Sequence, residues 1–167
     1  TVNKVRLREL LPTRDELRAS SGPIIRGSGL GFAIGLLPGS AHILSSFLSY
    51  ALEKKIAKKP EEFGTGRIEG VAGPETANNA ASGSALIPLL ALGIPTGNAP
   101  AVMMIALLIH GVRPGPLLIS ESPEIFWGLV ASMYIGNLVL VVLNLPLVGI
   151  FVKLLRIPSR ILFPIII

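Results

Sequence analysis

The hydrophobic residues of this chain are grouped into three long stretches, at residues 22–50, 73–111 and 125–152, with polar segments between them. Pro38-Gly39 interrupts the first stretch, and Gly-Ile-Pro-Thr-Gly at residues 93–97 interrupts the second. Gly and Pro disrupt helix interiors more than other residues do. We therefore expect residues 38–41 and 95–99 to be non-helical and buried between helices. The pattern predicts an all-α fold with helices broken at two Pro-Gly motifs.

The composition places these helices in a membrane. Of the 167 residues, 50% are hydrophobic and 15% are charged, and the mean hydropathy is +0.66, whereas soluble domains carry about 25% charged residues. The net charge of +5 comes from basic residues that flank the apolar stretches. This is the positive-inside pattern of a multi-pass membrane protein rather than a nucleic-acid-binding surface. The absence of cysteine excludes disulfides and thiolate metal sites.

The two interruptions resemble each other in sequence. Each places Gly, an aliphatic residue, Pro, Gly, a small polar residue and Ala in nearly the same order, at residues 35–41 and 93–99. In a bilayer, broken backbone is tolerated only where it is buried in protein or lines a cavity. Half-helices that meet at such breaks indicate the substrate site of a transporter, and two similar breaks are typical of a pseudo-symmetric one.

The chain is predicted to have a polar N-terminal segment followed by a membrane domain. Residues 1–21 are interpreted as a cytoplasmic amphipathic segment, in which Thr13 and Glu16 form a helix-capping box. Residues 22–167 are interpreted as a partial transmembrane transporter domain. Basic flanks at both ends of residues 22–53 favour a re-entrant helical hairpin, and one long kinked span is the alternative. The chain starts without Met and ends within an apolar run, so we expect it to be part of a larger protein.

Glycines recur every fourth residue in the first stretch, at Gly27, Gly31, Gly35 and Gly39. Residues four apart lie on one face of a helix, and small residues at this spacing allow a second helix backbone to approach closely in lipid. We expect this face to pack against another helix.

A polar strip precedes the second interruption. Pro74 is predicted to open a helix that carries Glu75, Asn78, Asn79 and Ser82. The strip either faces a functional cavity or holds two membrane helices together. Glu75 likewise has two interpretations. It complements the dipole of a helix start, or it binds a co-transported cation, H⁺ or Na⁺, together with Asn79.

These motifs resemble the large membrane subunit of the tripartite tricarboxylate transporters, the TctA family. The resemblance covers nearly the whole chain, and its most specific motifs are Gly-Leu-Leu-Pro-Gly at 35–39, Pro-Glu at 74–75, Asn-Asn-Ala at 78–80, Leu-Gly-Ile-Pro at 92–95 and Gly-Val-Arg-Pro-Gly-Pro-Leu at 111–117. It implies a C-terminal-half fragment of an uptake system in the bacterial inner membrane. The implied partners are a periplasmic substrate-binding protein and a small membrane subunit. The implied substrates are citrate-like di- or tricarboxylates, driven by an ion gradient without a further cofactor. The chain departs from the family pattern at Ser40-Ala41-His42 and at Thr96.

A carboxylate in a membrane needs hydrogen-bond donors and positive potential, and residues 71–111 contain no Lys or Arg. Helix N-termini supply both through free N–H groups and the helix dipole. The predicted substrate-binding residues lie at the two breaks and on the polar strip: Pro38, Gly39, Ser40, Asn78, Asn79, Pro95, Thr96, Gly97 and Asn98.

Two other classes of function compete with transport. Ser40 and His42 suggest an intramembrane hydrolase, but neither a Gly-x-Ser-x-Gly nor a His-Glu-x-x-His motif occurs. A non-catalytic membrane scaffold would explain the glycine repeat but not two broken polar segments. The sequence therefore predicts a transporter subunit and not an enzyme.

Overall fold

The structure, a computed structural model, describes residues 11–39 and 41–154. These residues contain helices and no strand, which confirms the predicted all-α class for this part of the chain. Thr13–Phe126 forms one compact unit, and residues 11–12 and 127–154 belong to a second. The α-helices are α1 (Arg14–Gly35), α2 (Ala41–Ile56), α3 (Glu69–Ser84), α4 (Leu86–Leu92), α5 (Asn98–Ile109), α6 (Leu118–Glu121) and α7 (Pro123–Leu154). A 3-10 turn at Pro60–Glu62 lies between α2 and α3.

The start of α1 is fixed by the predicted capping box. The backbone N–H of Glu16 donates to the Thr13 hydroxyl at 3.3 Å, and the Glu16 carboxylate accepts from the Thr13 backbone N–H at 2.7 Å. Two N–H groups that the helix would leave without partners are thereby satisfied. From this start α1 continues to Gly35 without interruption at the boundary between residues 21 and 22.

Helices α1, α2 and α3 pack together, and α1 and α3 approach with almost no side chain between them. A Cβ atom added at Gly31 would lie 2.8 Å from the Ala77 Cα, and one at Gly35 would lie 2.8 Å from the Ala81 Cα. Real Cβ atoms do not approach so closely. The prediction that Gly31 and Gly35 contact another helix is confirmed.

The interior of this bundle holds polar groups of α2. Ser45, Ser49 and Glu53 are buried at four-residue intervals and therefore lie on one face of the helix. The Glu53 carboxylate, 2% exposed, accepts two hydrogen bonds from the Arg26 guanidinium, from Nε at 2.8 Å and from Nη2 at 2.6 Å. Gly73 of α3 makes room for this pair, because a Cβ there would lie 2.9 Å from the Glu53 Cγ. The ion pair joins α1 to α2.

The helices that precede the two Pro-Gly segments, α1 and α4, are each followed by a glycine with positive φ. Gly93 ends α4 in the left-handed conformation, at φ 71°, which glycine adopts without a Cβ clash. Gly39 has φ 132° and lies between α1 and α2. The helices that follow the two segments, α2 and α5, begin slightly earlier than expected, at Ala41 and at Asn98.

The expectation that residues 41, 98 and 99 are non-helical is therefore wrong. In α5 the early start is explained by Pro100, the third helical residue. The N–H groups of the first helical turn have no partner within the helix, so a proline, which has no N–H, fits there at no cost in hydrogen bonds. The burial of the breaks is uneven within this chain. Thr96 is 3% exposed, whereas Pro38 and Gly39 are exposed. Ser40 lies outside the described residues.

The predicted helix start at Pro74 is also wrong, since α3 begins at Glu69 and contains Pro74. Arg67 binds the Glu69 carboxylate at 3.0 Å, next to the first helical turn. The end of α3 at Ser84 is explained by Pro88 of α4. Proline has no N–H to donate to the carbonyl four residues earlier, which here is that of Ser84, and its ring clashes with that carbonyl. Glu75 consequently lies beyond the first turn of α3, so its interpretation as a helix-start residue is not supported.

Among the described residues, α7 is the one helix that is long and apolar enough to cross a membrane, over Pro123–Gly149, and none of it is buried within the chain. The shorter α5 is also apolar. The multi-pass arrangement and the re-entrant hairpins remain predictions.

Candidate functional site

The two Pro-Gly segments meet in space. The backbone N–H of Gly39 donates to the carbonyl oxygen of Thr96 at 3.0 Å. A Cβ placed on Gly97 would lie 3.6 Å from the carbonyl oxygen of Gly39, so the two backbones run side by side. A stretch between α1 and α2 is thus bonded directly to the stretch between α4 and α5, although Thr96 comes 57 positions after Gly39 in the sequence.

A cavity of about 580 Å³ opens where these segments meet. Its lining consists of both breaks and the first turns of the helices that follow them: Pro38, Gly39, His42, Ile43, Pro95, Thr96, Gly97, Asn98 and Ala99. None of these residues is Lys or Arg. The N-termini of α2 and α5 both border the cavity. The first N–H groups of a helix have no hydrogen-bond partner within the helix itself. The cavity therefore offers backbone donors and two positive dipole ends without a Lys or Arg side chain.

Thr96 holds the second break in place. Its hydroxyl donates to the carbonyl oxygen of Ala85 at 3.2 Å, at the junction between α3 and α4. The hydroxyl hydrogen is therefore used within the chain, and the polar side chain that remains exposed at this break is Asn98. No side-chain cap is bonded to the N-terminus of α5.

The polar strip of α3 lies mainly outside this cavity. Asn78 lines a second cavity of about 300 Å³ together with His42, Ile43, Ser46 and Phe47. Asn79 is exposed, and its side-chain N–H donates to the carbonyl oxygen of Glu75 at 3.0 Å. Glu75 is exposed too and lines neither cavity. The structure thus brings six of the predicted site residues together and places Asn78, Asn79 and Glu75 elsewhere on α3.

His42 lines the site but is absent from the predicted substrate-binding residues; the sequence singled it out for hydrolysis and as a departure from the family pattern. It borders both cavities, and its Nδ1 lies 3.3 Å from the Ser82 hydroxyl of α3. A serine–histidine contact needs a third group to orient the base for nucleophilic catalysis. No acidic side chain among the described residues is hydrogen-bonded to His42. Its position directly after the first predicted break, residues 38–41, was the available signal.

Comparison with known proteins identifies relatives of this chain. It is 53% identical over 162 residues to the "Uncharacterized 52.8 kDa protein in TAR-I ttuC' 3'region" of Agrobacterium vitis. The aligned region covers 97% of this chain and 32% of that protein. It is 56% identical over 137 residues to the "Uncharacterized protein in TAR-II ttuC' 3'region" of the same organism, covering 82% of this chain and 57% of that relative. The chain thus spans between about a third and just over half of these curated relatives. No solved structure matches it.

The family comparison covers the complete sequence. Residues 1–167 match the family described as "Tripartite tricarboxylate transporter TctA family". The resemblance drawn from the Pro-Gly, Asn-Asn and Gly-Val-Arg-Pro-Gly-Pro motifs is confirmed, and the chain belongs to the tripartite tricarboxylate transporter TctA family.

Proposed function

We propose that this chain is part of the membrane subunit of a secondary uptake transporter for di- or tricarboxylates, with the 580 Å³ cavity as the substrate site. The subunit spans the bacterial inner membrane several times and receives its substrate from a periplasmic binding protein. A small membrane subunit completes the complex, and an H⁺ or Na⁺ gradient drives accumulation. No other cofactor and no nucleic acid takes part.

The convergence of two helix N-termini on one cavity carries this proposal. A carboxylate that leaves water for a low-dielectric site needs hydrogen-bond donors, or its charged form is strongly disfavoured. The starts of α2 and α5 offer free N–H groups and positive dipole ends to the same space. Neither Lys nor Arg is among the lining residues, so the ligand can be released again without breaking an ion pair to such a side chain.

Each predicted residue has a role in this proposal. Gly39 and Gly97 let the ligand reach the backbone, and Pro38 and Pro95 keep the preceding residues out of the helical conformation. Asn98 donates from its side chain, and Ser40, outside the described residues, stands in sequence at the start of α2. Asn78 and Asn79 extend the polar surface along α3. Thr96 positions its segment through Ala85.

Replacing Asn98 with Asp tests the sign of the ligand charge. Asp is nearly the same size and is favoured in the first turn of a helix, by about 0.3–1 kcal/mol, so α5 should keep its fold. A negative charge at the cavity wall should nevertheless reduce carboxylate uptake at least tenfold. Uptake of labelled citrate, tartrate and succinate into proteoliposomes that contain the complete complex is the measurement.

Asn98→Ala is the matched control, because it removes one donor without adding charge. It should lower uptake by several-fold only, and both variants should elute as wild type in gel filtration. Unchanged uptake by the folded Asn98→Asp protein would remove the cavity from the substrate path.

We also propose that Glu75 and Asn79 bind the coupling cation. Both are exposed within this chain, one turn apart on α3, and the amide of Asn79 already contacts the backbone of Glu75. The Glu75 carboxylate and the Asn79 amide oxygen are ligands that suit a hard cation or a proton.

Glu75→Gln keeps the shape of the side chain and removes its charge. The variant should lose gradient-driven accumulation while it still exchanges internal for external substrate, because the cavity itself is unchanged. Both rates are measured in the same proteoliposomes, with and without an imposed ion gradient. Normal accumulation would show that the coupling cation binds elsewhere.

A further inference from the structure

A third cavity, with a cationic lining, lies at the opposite end of α2 from the candidate substrate site. It has a volume of about 440 Å³ and is bordered by the first half of α1, the end of α2 and the connection to α3. Since α2 has 16 residues, a rise of 1.5 Å per residue separates its two ends by about 24 Å. The two cavities are therefore distinct sites.

The charges around this cavity do not balance. Its ionisable lining residues are four cations and two carboxylates, Arg18, Arg26, Lys58, Arg67, Glu53 and Glu69. Arg26 is bound to Glu53, and Arg67 is bound to Glu69 at 3.0 Å and to Glu62 at 2.8 Å. Arg18 and Lys58 have no ion-pair partner within the described part of the chain, and both are exposed. The cavity therefore has two cationic side chains available for an anion.

Exposed isoleucines occur in the same parts of α1 and α2. Ile56 lines the cavity and is 49% exposed, and Ile25, beside Arg26 in sequence, is 73% exposed. Ile24 is also exposed. A ligand that fills this cavity has to present an anionic group to Arg18 and Lys58 and a hydrocarbon part to Ile56. The cavity also lies where α1 and α2 change from apolar to charged sequence, which is where a membrane helix meets the headgroup layer.

We propose that this cavity binds the phosphate of an anionic phospholipid. Arg18 and Lys58 contact the phosphate oxygens, to which lysine and arginine donate charge-assisted hydrogen bonds. An acyl chain runs along Ile56, which lines the cavity. A soluble anion would use the same cations but would gain nothing from the apolar rim, so the lipid is the occupant that the surface favours.

Lipid titrations followed by native mass spectrometry test this assignment on the full-length protein, purified and delipidated in a non-ionic detergent. Phosphatidylglycerol and phosphatidylcholine with identical acyl chains are the two probes. Wild type should bind phosphatidylglycerol about tenfold more tightly than phosphatidylcholine. Arg18→Gln/Lys58→Gln should lose this preference, because each cation near an anionic lipid contributes several-fold in affinity.

Lys54→Gln/Lys55→Gln is the matched control. It removes the same charge from exposed residues of the same helix end, but neither lysine lines the cavity. The control should keep the tenfold preference, and all three proteins should share one thermal midpoint, since the replaced side chains are exposed.

Three results would overturn the proposal. Wild type could bind both lipids equally. Both double variants could lose the preference to the same extent, which would make the effect one of net charge. Inorganic phosphate could displace phosphatidylglycerol at equal concentration, which would assign the cavity to a soluble anion. If Arg18→Gln impairs folding, Lys58→Gln alone should still lower the preference several-fold.

Discussion

Replacing Gly31 with Leu is expected to prevent the α1–α2–α3 bundle from forming. A Cβ at this position would lie 2.8 Å from both the Cα and the carbonyl carbon of Ala77. Overpacking against movable side chains typically costs about 1–3 kcal/mol. The neighbouring atoms here belong to the backbone of α3, which cannot rotate away, so we expect a cost above that range. Monodisperse yield and the thermal unfolding midpoint of the purified protein are the measurements.

Gly29→Leu is the matched control on the same helix. A Cβ at Gly29 would meet no atom within 4 Å, and leucine favours a helix over glycine. This variant should therefore match wild type or exceed it in stability. Equal losses from both substitutions would assign the effect to added apolar surface, and a stable Gly31→Leu protein would contradict the close approach of α1 to α3.

Loss of Arg26 should produce the second large effect. Arg26→Met leaves the Glu53 carboxylate, 2% exposed, without its cationic partner. Breaking a buried ion pair from one side costs about 3–5 kcal/mol, because an uncompensated charge stays buried. Since the Arg26 side chain is itself 41% exposed, we expect a loss toward the lower end of that range. We expect the denaturant midpoint to fall accordingly, while α7 keeps its helical content.

The double variant Arg26→Met/Glu53→Met separates charge burial from lost packing. It should recover most of the stability, since apolar side chains of similar volume can replace a buried pair. The exposed pair of Lys59 and Glu62, 2.9 Å apart, provides a comparison. Lys59→Met should leave the midpoint unchanged, because exposed pairs contribute little. A double variant that loses the sum of both single losses would show that Arg26 and Glu53 act independently.

Local signals in the sequence were enough to predict several features of the fold. Thr13 and Glu16 stand at the spacing of a capping box, and the glycines at 27, 31 and 35 share one helical face, so short-range geometry determines both outcomes. Gly93 and Pro95 end α4 for reasons contained in a few residues. These features depend on backbone conformations that neighbouring residues alone restrict.

Features that depend on distant contacts were not predictable in the same way. Pro74 was expected at a helix start because proline favours that place, but contacts of α3 with α1 and α2 support a helix that begins at Glu69. The similarity of the two breaks indicated that they share a site, yet nothing local specified the bond from Gly39 to Thr96 or the place of His42 between two cavities. Those depend on how far each helix extends before it meets the next.

The small-residue interface also leaves the axial position of α1 undetermined. Gly27, Gly31 and Gly35 lie against Gly73, Ala77 and Ala81, which recur at the same four-residue interval along a parallel helix. Sliding α1 by four residues, about 6 Å, would again set small residues opposite one another. None of these residues has a side chain larger than a methyl group, so the glycine contacts alone offer little resistance to such slippage. The bidentate contact of Arg26 with Glu53 forms at one setting of α1 against α2, and it thereby selects a single register among several that steric fit alone would allow.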